Sequence, residues 1–224
     1  MSKIKVSAFA VSIDGFSAGP NQSLENPLGV RGTELMTWFF KTKAFQKMHG
    51  GGGGVEDIDN SFAERSFENI GAWIMGRNMF GPIRGPWLNH EWRGWWGESP
   101  PYHTSVFVLT HHKREPLVME GGTTFYFVTE GLEVALKKAK EAAQGRDVRI
   151  GGGTQVVRDY LKAGLIDELH LVYSPVFLGS GESLLSDLNL PQLGYSVTEK
   201  VHTQEALHVV LGRTAQCTGG QNGK

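Results

Sequence analysis

The stretch Val148-Arg149-Ile150-Gly151-Gly152-Gly153-Thr154-Gln155 constrains this chain most, because an apolar run there ends in three glycines and at once turns helical. Periodicity reads 148–150 as a strand and 154–163 as a helix, with Val156, Val157, Tyr160 and Leu161 facing inward and Gly164 at its stop. Strand-to-helix junctions of this kind belong to α/β architectures. The first amides of such a helix lack intrahelical acceptors and sit at the positive end of its dipole, so the turn favours an anion. Residues without Cβ let that anion come close to the backbone. Tight strand–helix packing without a ligand uses the same glycines, and the triplet alone leaves both readings open. A full Rossmann fingerprint would add a glycine near Val156 and an acid after the next strand. The chain has Tyr173-Ser174 there, which disfavours that fold.

The rest of the chain fits the same class. Strands are expected at 3–12, with Ile4, Val6, Ala8 and Ala10 on one side, and at 72–75, 105–109, 124–128 and 168–173. A closing antiparallel pair is expected at 195–202 and 206–213. One helix opens at Thr33 and carries Leu35, Met36, Phe39, Phe40 and Phe45; another spans 130–144. Ser61 and Glu64 have capping-box spacing and predict a helix over 62–69. The sum is a mixed, mostly parallel sheet with helices on both faces. Five glycines at 50–54 read as a mobile loop, with Asp57 and Asp59 beside it as solvated charges, or as carboxylates within reach of a pocket. The segment 81–102, with Trp87, Trp92, Trp95 and Trp96, reads as a long surface excursion serving as a substrate lid or a subunit interface.

Charge and composition narrow the function. A formal net charge of -1 provides no basic field for nucleic acid or acidic membrane, so an anion site must be built locally. The single cysteine, Cys217, excludes an internal disulfide and a zinc–thiolate cluster. With no apolar leader or membrane-length run, a cytoplasmic protein is expected. The histidines show no metal-ligand spacing, and Gly179-Ser180-Gly181 is not a nucleophile elbow.

Three more stretches carry candidate chemistry. Ile74-Met75-Gly76-Arg77-Asn78 places a permanent cation where a helix would begin, suiting phosphate, with an exposed surface arginine as the alternative. Val108-Leu109-Thr110-His111-His112-Lys113-Arg114 ends a strand in a hydroxyl and four potential cations, which suits a monophosphate or is a solvated basic loop. Asp14 follows the first strand, where it either orients a substrate or relays a proton, or simply makes an Asp-Gly turn.

In order and spacing these motifs resemble the dihydrofolate reductase-like fold, and specifically the riboflavin-biosynthesis reductase domain, the C-terminal domain of bifunctional deaminase-reductases. The carriers are Ser12-Ile13-Asp14-Gly15-Phe16 with Ala18-Gly19-Pro20-Asn21, then Ile74 to Phe80, Val108-Leu109-Thr110, Ile150 to Thr154, and Pro175 to Gly181. The resemblance covers Lys3 to about Leu185 and implies a three-layer fold, which makes one domain of 1–214; the Gly- and Gln-rich end at 215–224 reads as a flexible tail. It implies NADPH phosphates at Gly76, Arg77 and Asn78 and at Gly151, Gly152, Gly153, Thr154 and Gln155. It also places the 2'-phosphate beside Leu109, Thr110 and His111, and the nicotinamide beside the first strand at Ala10. Asp14 is the candidate catalytic carboxylate, Glu34 is the nearest acid to the first helix, and Arg31, Arg65 and Lys41 are candidate cations for a substrate phosphate.

The expected activity is NADPH-dependent hydride transfer to a pyrimidinone or pterin heterocycle, by a homodimer. Reduction of 5-amino-6-(5-phosphoribosylamino)uracil is the nearest reaction the resemblance implies. A noncatalytic dinucleotide-binding module and a flavin or quinone reductase are the alternatives. The zinc deaminase signature of the bifunctional proteins is not in this sequence.

Overall fold

Two-residue alternation builds a central sheet with two different faces, because Ala72 and Ile74 pack to one side while Trp73 and Met75 pack to the other. The computed structural model describes residues 2–81, 84–88 and 91–214. The expected tail at 215–224 lies outside the described residues. In chain order the strands are β1 (Ile4–Ser12), β2 (Phe16–Ala18), β3 (Ile70–Gly76), β4 (Ser105–Leu109), β5 (Leu117–Val118), β6 (Thr124–Val128), β7 (Asp147–Gly152), β8 (Glu168–Ser174), β9 (Glu182–Ser183), β10 (Tyr195–His202) and β11 (Leu207–Arg213). The helices are α1 (Thr37–Phe40), α2 (Lys43–Met48), α3 (Ile58–Arg65), α4 (Arg77–Phe80), α5 (Leu132–Ala143) and α6 (Thr154–Lys162).

Nine strands form one sheet in the order β10-β11-β8-β1-β7-β3-β4-β6-β5, and β2 pairs with β9 separately. The run from β8 to β6 is parallel, while β11 on one side and β5 on the other are antiparallel to it. The expected mixed sheet with a closing antiparallel pair is therefore present. Aliphatic residues of α5 and α6, among them Ala135, Ala139, Val157 and Leu161, cover one face. Trp38, Phe39 and Ala63 of α1 and α3 cover part of the other.

Four local expectations are corrected. The helix expected from Thr33 is broken into a 3-10 turn, α1 and α2, because Thr42 leaves the helical path and its hydroxyl caps Phe45. The helix α3 starts at Ile58 because Asp57, not Ser61, accepts the Asn60 amide as N-cap. The excursion at 81–102 is not mere surface: Trp87, Trp92 and Tyr102 pack against Trp73, Met75 and Phe80 and finish the second face. Asp59 is buried, and its Oδ1 receives bonds from His208 Nε2 at 2.7 Å and the Thr203 hydroxyl at 2.9 Å.

The chain of bonds beyond Asp59 is continuous. His208 Nδ1 faces His170 Nε2 at 3.0 Å, and His170 Nδ1 accepts the Ala8 amide at 3.1 Å. That amide fixes the tautomers: His170 carries its proton on Nε2 and gives it to His208 Nδ1, and His208 donates from Nε2 to Asp59. Burial, and then the neighbouring His208, pushes His170 from 6.5 down to about 3. The unfolded chain therefore binds the extra proton as pH falls below 6.5, and stability is lost on acidification. Between pH 7 and pH 5 this one group should remove about 2 kcal/mol, read as a lower urea midpoint at pH 5.

Candidate functional site

The carboxyl ends of β1, β3, β4, β6, β7 and β8 meet along one sheet edge, the place where open α/β sheets bind ligands. A cavity of about 440 Å³ opens there. It is lined by Gly76, Arg77 and Asn78 at the end of β3, by Leu109, Thr110, His111 and His112 after β4, and by Gly153, Thr154 and Gln155 at the start of α6. These ten residues singled out from the sequence thus line one cavity. Ala10, Asp14, Gly151 and Gly152 do not line it.

Glycine is required where β3 meets α6. A Cβ on Gly76 would stand 2.8 Å from Val156 Cγ2 and 3.3 Å from the Gly153 amide nitrogen. Gly153 is the N-cap of α6, no side chain caps this helix, and the amides of its first turn border the cavity. The peptide between Gly152 and Gly153 is cis. Gly151 and Gly152 belong to β7 and face Met79, Trp73 and Phe9 instead of the cavity, so two of the three glycines serve packing. Thr154 is buried, its hydroxyl 2.8 Å from that of Ser17, and Asn78 donates to Gln22 Oε1.

The basic residues divide. Arg77 lines the cavity, but its guanidinium stacks on Trp87, 3.1 Å from the ring centroid, and burial followed by the charge of Arg114 brings it down to about 10. Arg114 turns away to the Trp92 carbonyl and the same aromatic cluster, with its guanidinium 4.8 Å from the Trp87 centroid. His111 and His112 remain at the cavity, and the Thr110 hydroxyl accepts the His112 amide. The cations expected for a substrate phosphate are engaged elsewhere: Arg31 pairs with Glu34, Arg65 with Glu199 and Lys41 with Glu205.

Asp14 closes a turn. It accepts from the Ser12 hydroxyl at 2.6 Å and from the amides of Gly179 and Leu178 at 2.7 and 3.1 Å. The Ser12 bond first, then those amides, hold its carboxyl below the usual range. This ties the end of β1 to the 174–181 segment. Ala10 is buried with Leu35 and Leu178 in a small apolar cluster beside it.

Sequence reasoning passed over Arg149 and the histidine chain. Arg149 is buried in β7, donates to the Ser7 and Ser66 carbonyls at 2.9 and 2.7 Å, and stacks on Trp73 and Phe67. Burial lowers it to about 9. A charged residue between Val148 and Ile150 in an otherwise apolar strand was the available signal.

The mixed, mostly parallel sheet with helices on both faces and a cavity at its carboxyl edge has the dihydrofolate reductase-like fold, shared with a riboflavin biosynthesis protein of Shewanella sp. PV-4 at 20% identity and TM-score 0.57, covering 96% of this chain and 100% of that one. The chain belongs to the RibD C-terminal domain family, which it matches over residues 5–213. Among curated proteins it is similar to the uncharacterized protein YwjB of Bacillus subtilis (strain 168), 33% identical over 123 residues, covering 51% of this chain and 70% of that one. Among solved structures it is similar to the deaminase/5-amino-6-(5-phosphoribosylamino)uracil reductase of Thermotoga maritima, at 14% identity and TM-score 0.53, covering 95% of this chain and 57% of that one. Acinetobacter baumannii RibD is similar at 15% identity and TM-score 0.56, covering 96% and 59%.

The close backbone contacts that frame the site are testable. Gly181 has φ +141°, and a Cβ there would run into the Ala18 carbonyl. Gly181→Ala should therefore destabilise the protein by about 2–4 kcal/mol, from the clash together with the strained backbone, read as a lower urea midpoint.

Proposed function

We propose that the protein is an NADPH-dependent reductase, acting as one domain over 1–214, that delivers a hydride to a heterocyclic substrate of the pyrimidinone or pterin type. The observation that carries this reading is the single cavity joining the uncapped start of α6, the glycine approach at Gly76 and the His111–His112 turn. Backbone amides at 153–156 would take the pyrophosphate, where a helix N-terminus favours negative charge. Thr110, His111 and His112 would border the 2'-phosphate.

The nicotinamide would enter where β1 parts from β7. Their ladder pairs only Ile4 with Val148 and Lys5 with Arg149, whereas β1 continues along β8 as far as Ser12 and Ser174. Ala10 and Phe9 stand on the departing half. Reduced nicotinamide supplies the hydride, and this chain's part is to align it with the acceptor and keep water out. Nearest in the family is reduction of the uracil named for the Thermotoga maritima protein, and fold alone does not fix that substrate. Asp14 acts in this reading by holding the edge in shape. A homodimer is proposed on the family resemblance, and light scattering at low micromolar concentration should report two copies.

Titration with NADPH and NADH tests the cofactor assignment. NADPH should bind the tighter of the two, and His111→Ala should narrow the difference. Gln155 is exposed in the first turn of α6 and donates to Asp159 Oδ1; Gln155→Glu exchanges that surface bond for a weak carboxylate repulsion that the helix dipole offsets, and puts a negative charge where a pyrophosphate does not tolerate it. That variant should keep its Tm and lose NADPH affinity by about tenfold, corresponding to about 1.4 kcal/mol. Unchanged affinity would remove the pyrophosphate from this turn.

A further inference from the structure

We propose that Arg149 and His170 are positioning residues that clamp the Ser7–Ala8 peptide of β1 and so set Phe9 and Ala10 against the nicotinamide of the bound cofactor. The nicotinamide part rests on the reductase reading above.

The clamp is visible in one peptide unit. β1 lies between β7 and β8, so a regular peptide there would bond to both neighbouring backbones. Its register with β8 instead slips between Val6 and Phe9, and Ala8 has φ +53°, a left-handed conformation that alanine adopts at a cost. The Ser7 carbonyl accepts from Arg149 Nη2 at 2.9 Å on the β7 side, and the Ala8 amide donates to His170 Nδ1 at 3.1 Å on the β8 side. Both polar groups of the displaced peptide are thereby satisfied by buried side chains.

The slip reverses the facing of everything after it. Ile4 and Val6 pack on the α5 and α6 side; beyond the slip Phe9 and Val11 do so, while Ala8 and Ala10 turn to the opposite side with residues of α1 and the preceding turn. A regular strand would place Ala10 with Val6. The carboxyl half of β1 is also the half that has left β7, and a Cβ on Gly152 would sit 3.5 Å from the Phe9 ring. The clamp therefore decides which side chains border the opening between β1 and β7. His208 and Asp59 support it by holding the proton of His170 on Nε2, which leaves Nδ1 free to accept.

Two variants of similar size separate this role from general packing. In His170→Asn the amide oxygen falls near the place of Nδ1 and still accepts from Ala8, while the reach to His208 is lost. In His170→Gln the side chain reaches toward His208 and leaves the Ala8 amide without its acceptor. NADPH binding is followed by quenching of protein tryptophan fluorescence, which reads overall affinity, and by emission of the bound nicotinamide, which reads the ring's surroundings. His170→Asn should match the native protein in both. His170→Gln should keep its affinity within about twofold, since the phosphate turns are untouched, while nicotinamide emission falls toward that of free NADPH. With a turned-over substrate its kcat should drop by about tenfold or more at little changed KM.

Equal nicotinamide emission in the two variants, or affinity and emission falling together in His170→Gln, overturns the positioning role. Failure of the native protein to bind NADPH overturns the reductase reading and the nicotinamide half of the proposal with it. Hydrogen exchange then decides the clamp by itself, whether or not the glutamine variant folds. The Ala8 amide of the native protein should exchange as slowly as the ladder amides of β8, and fast exchange there overturns the clamp.

Discussion

The sheet is organised around a strand that leaves its own ladder. β1 is an interior strand that pairs with β7 for its first residues and with β8 along most of its length, and the change is made at one peptide held by Arg149 and His170. Unpaired polar backbone in the middle of a sheet would be costly without substitute partners. The substitutes are themselves ionisable groups in the interior, so each needs its own support. Arg149 finds it in the Ser66 carbonyl and the faces of Trp73 and Phe67, and His170 finds it in His208 and Asp59. Removing one member leaves the next buried and unmatched, which couples α3, β1, β7, β8 and β11 through polar contacts as well as apolar ones.

Along the carboxyl edge much of the shaping is done by backbone, with one carboxylate among the shaping groups. Gly76 admits the start of α6, Gly181 admits the Ala18 carbonyl, and Asp14 joins the end of β1 to the segment after β8 through amides of Leu178 and Gly179. The resulting wall offers N–H donors in fixed places. Such donors suit phosphate oxygens without requiring a strongly basic protein, consistent with a net charge of -1.

Regular strands were legible because their periods are local. The spans 105–109, 124–128 and 195–202 coincide with β4, β6 and β10, and the three junctions carrying Gly76, Leu109 and Gly153 do come together at one cavity. What escaped depends on contacts distant in sequence. Alternation over 3–12 put Ala8 and Ala10 beside Val6, and nothing local announces that a histidine about 160 residues later draws the Ala8 amide out of line. Asp59 looked like a solvated neighbour of five glycines because its partners, Thr203 and His208, lie on the far hairpin. The tryptophan segment looked exposed because its residues follow no period, yet an irregular chain can cover a sheet face with Trp87 and Trp92 as well as a helix can. Arg77 was read by its charge, and its packing on Trp87 could not be seen without the fold.

The two faces of the sheet consequently differ in electrostatics as well as in shape. The α5 and α6 side is mostly aliphatic, with Phe107 and Tyr160 among its core residues and the buried Arg158 held by the Ser183 and Leu184 carbonyls, whereas the other side holds Arg77, Arg114 and Arg149 against the faces of Trp87, Phe80, Phe127, Trp73 and Phe67. Burial lowers all three, yet with Arg77 at about 10 and Arg149 at about 9 these two stay charged at neutral pH. Aromatic faces hold such cations without neutralising them. The field of these fixed cations therefore belongs to one face of a protein whose overall charge is almost nil. Low-dielectric surroundings screen that field less than water would. The carboxyl edge itself mixes signs, because Asp159 and Glu182 line the same cavity as Arg77, so the aromatic packing of the second face fixes a cation beside a wall that also carries carboxylates.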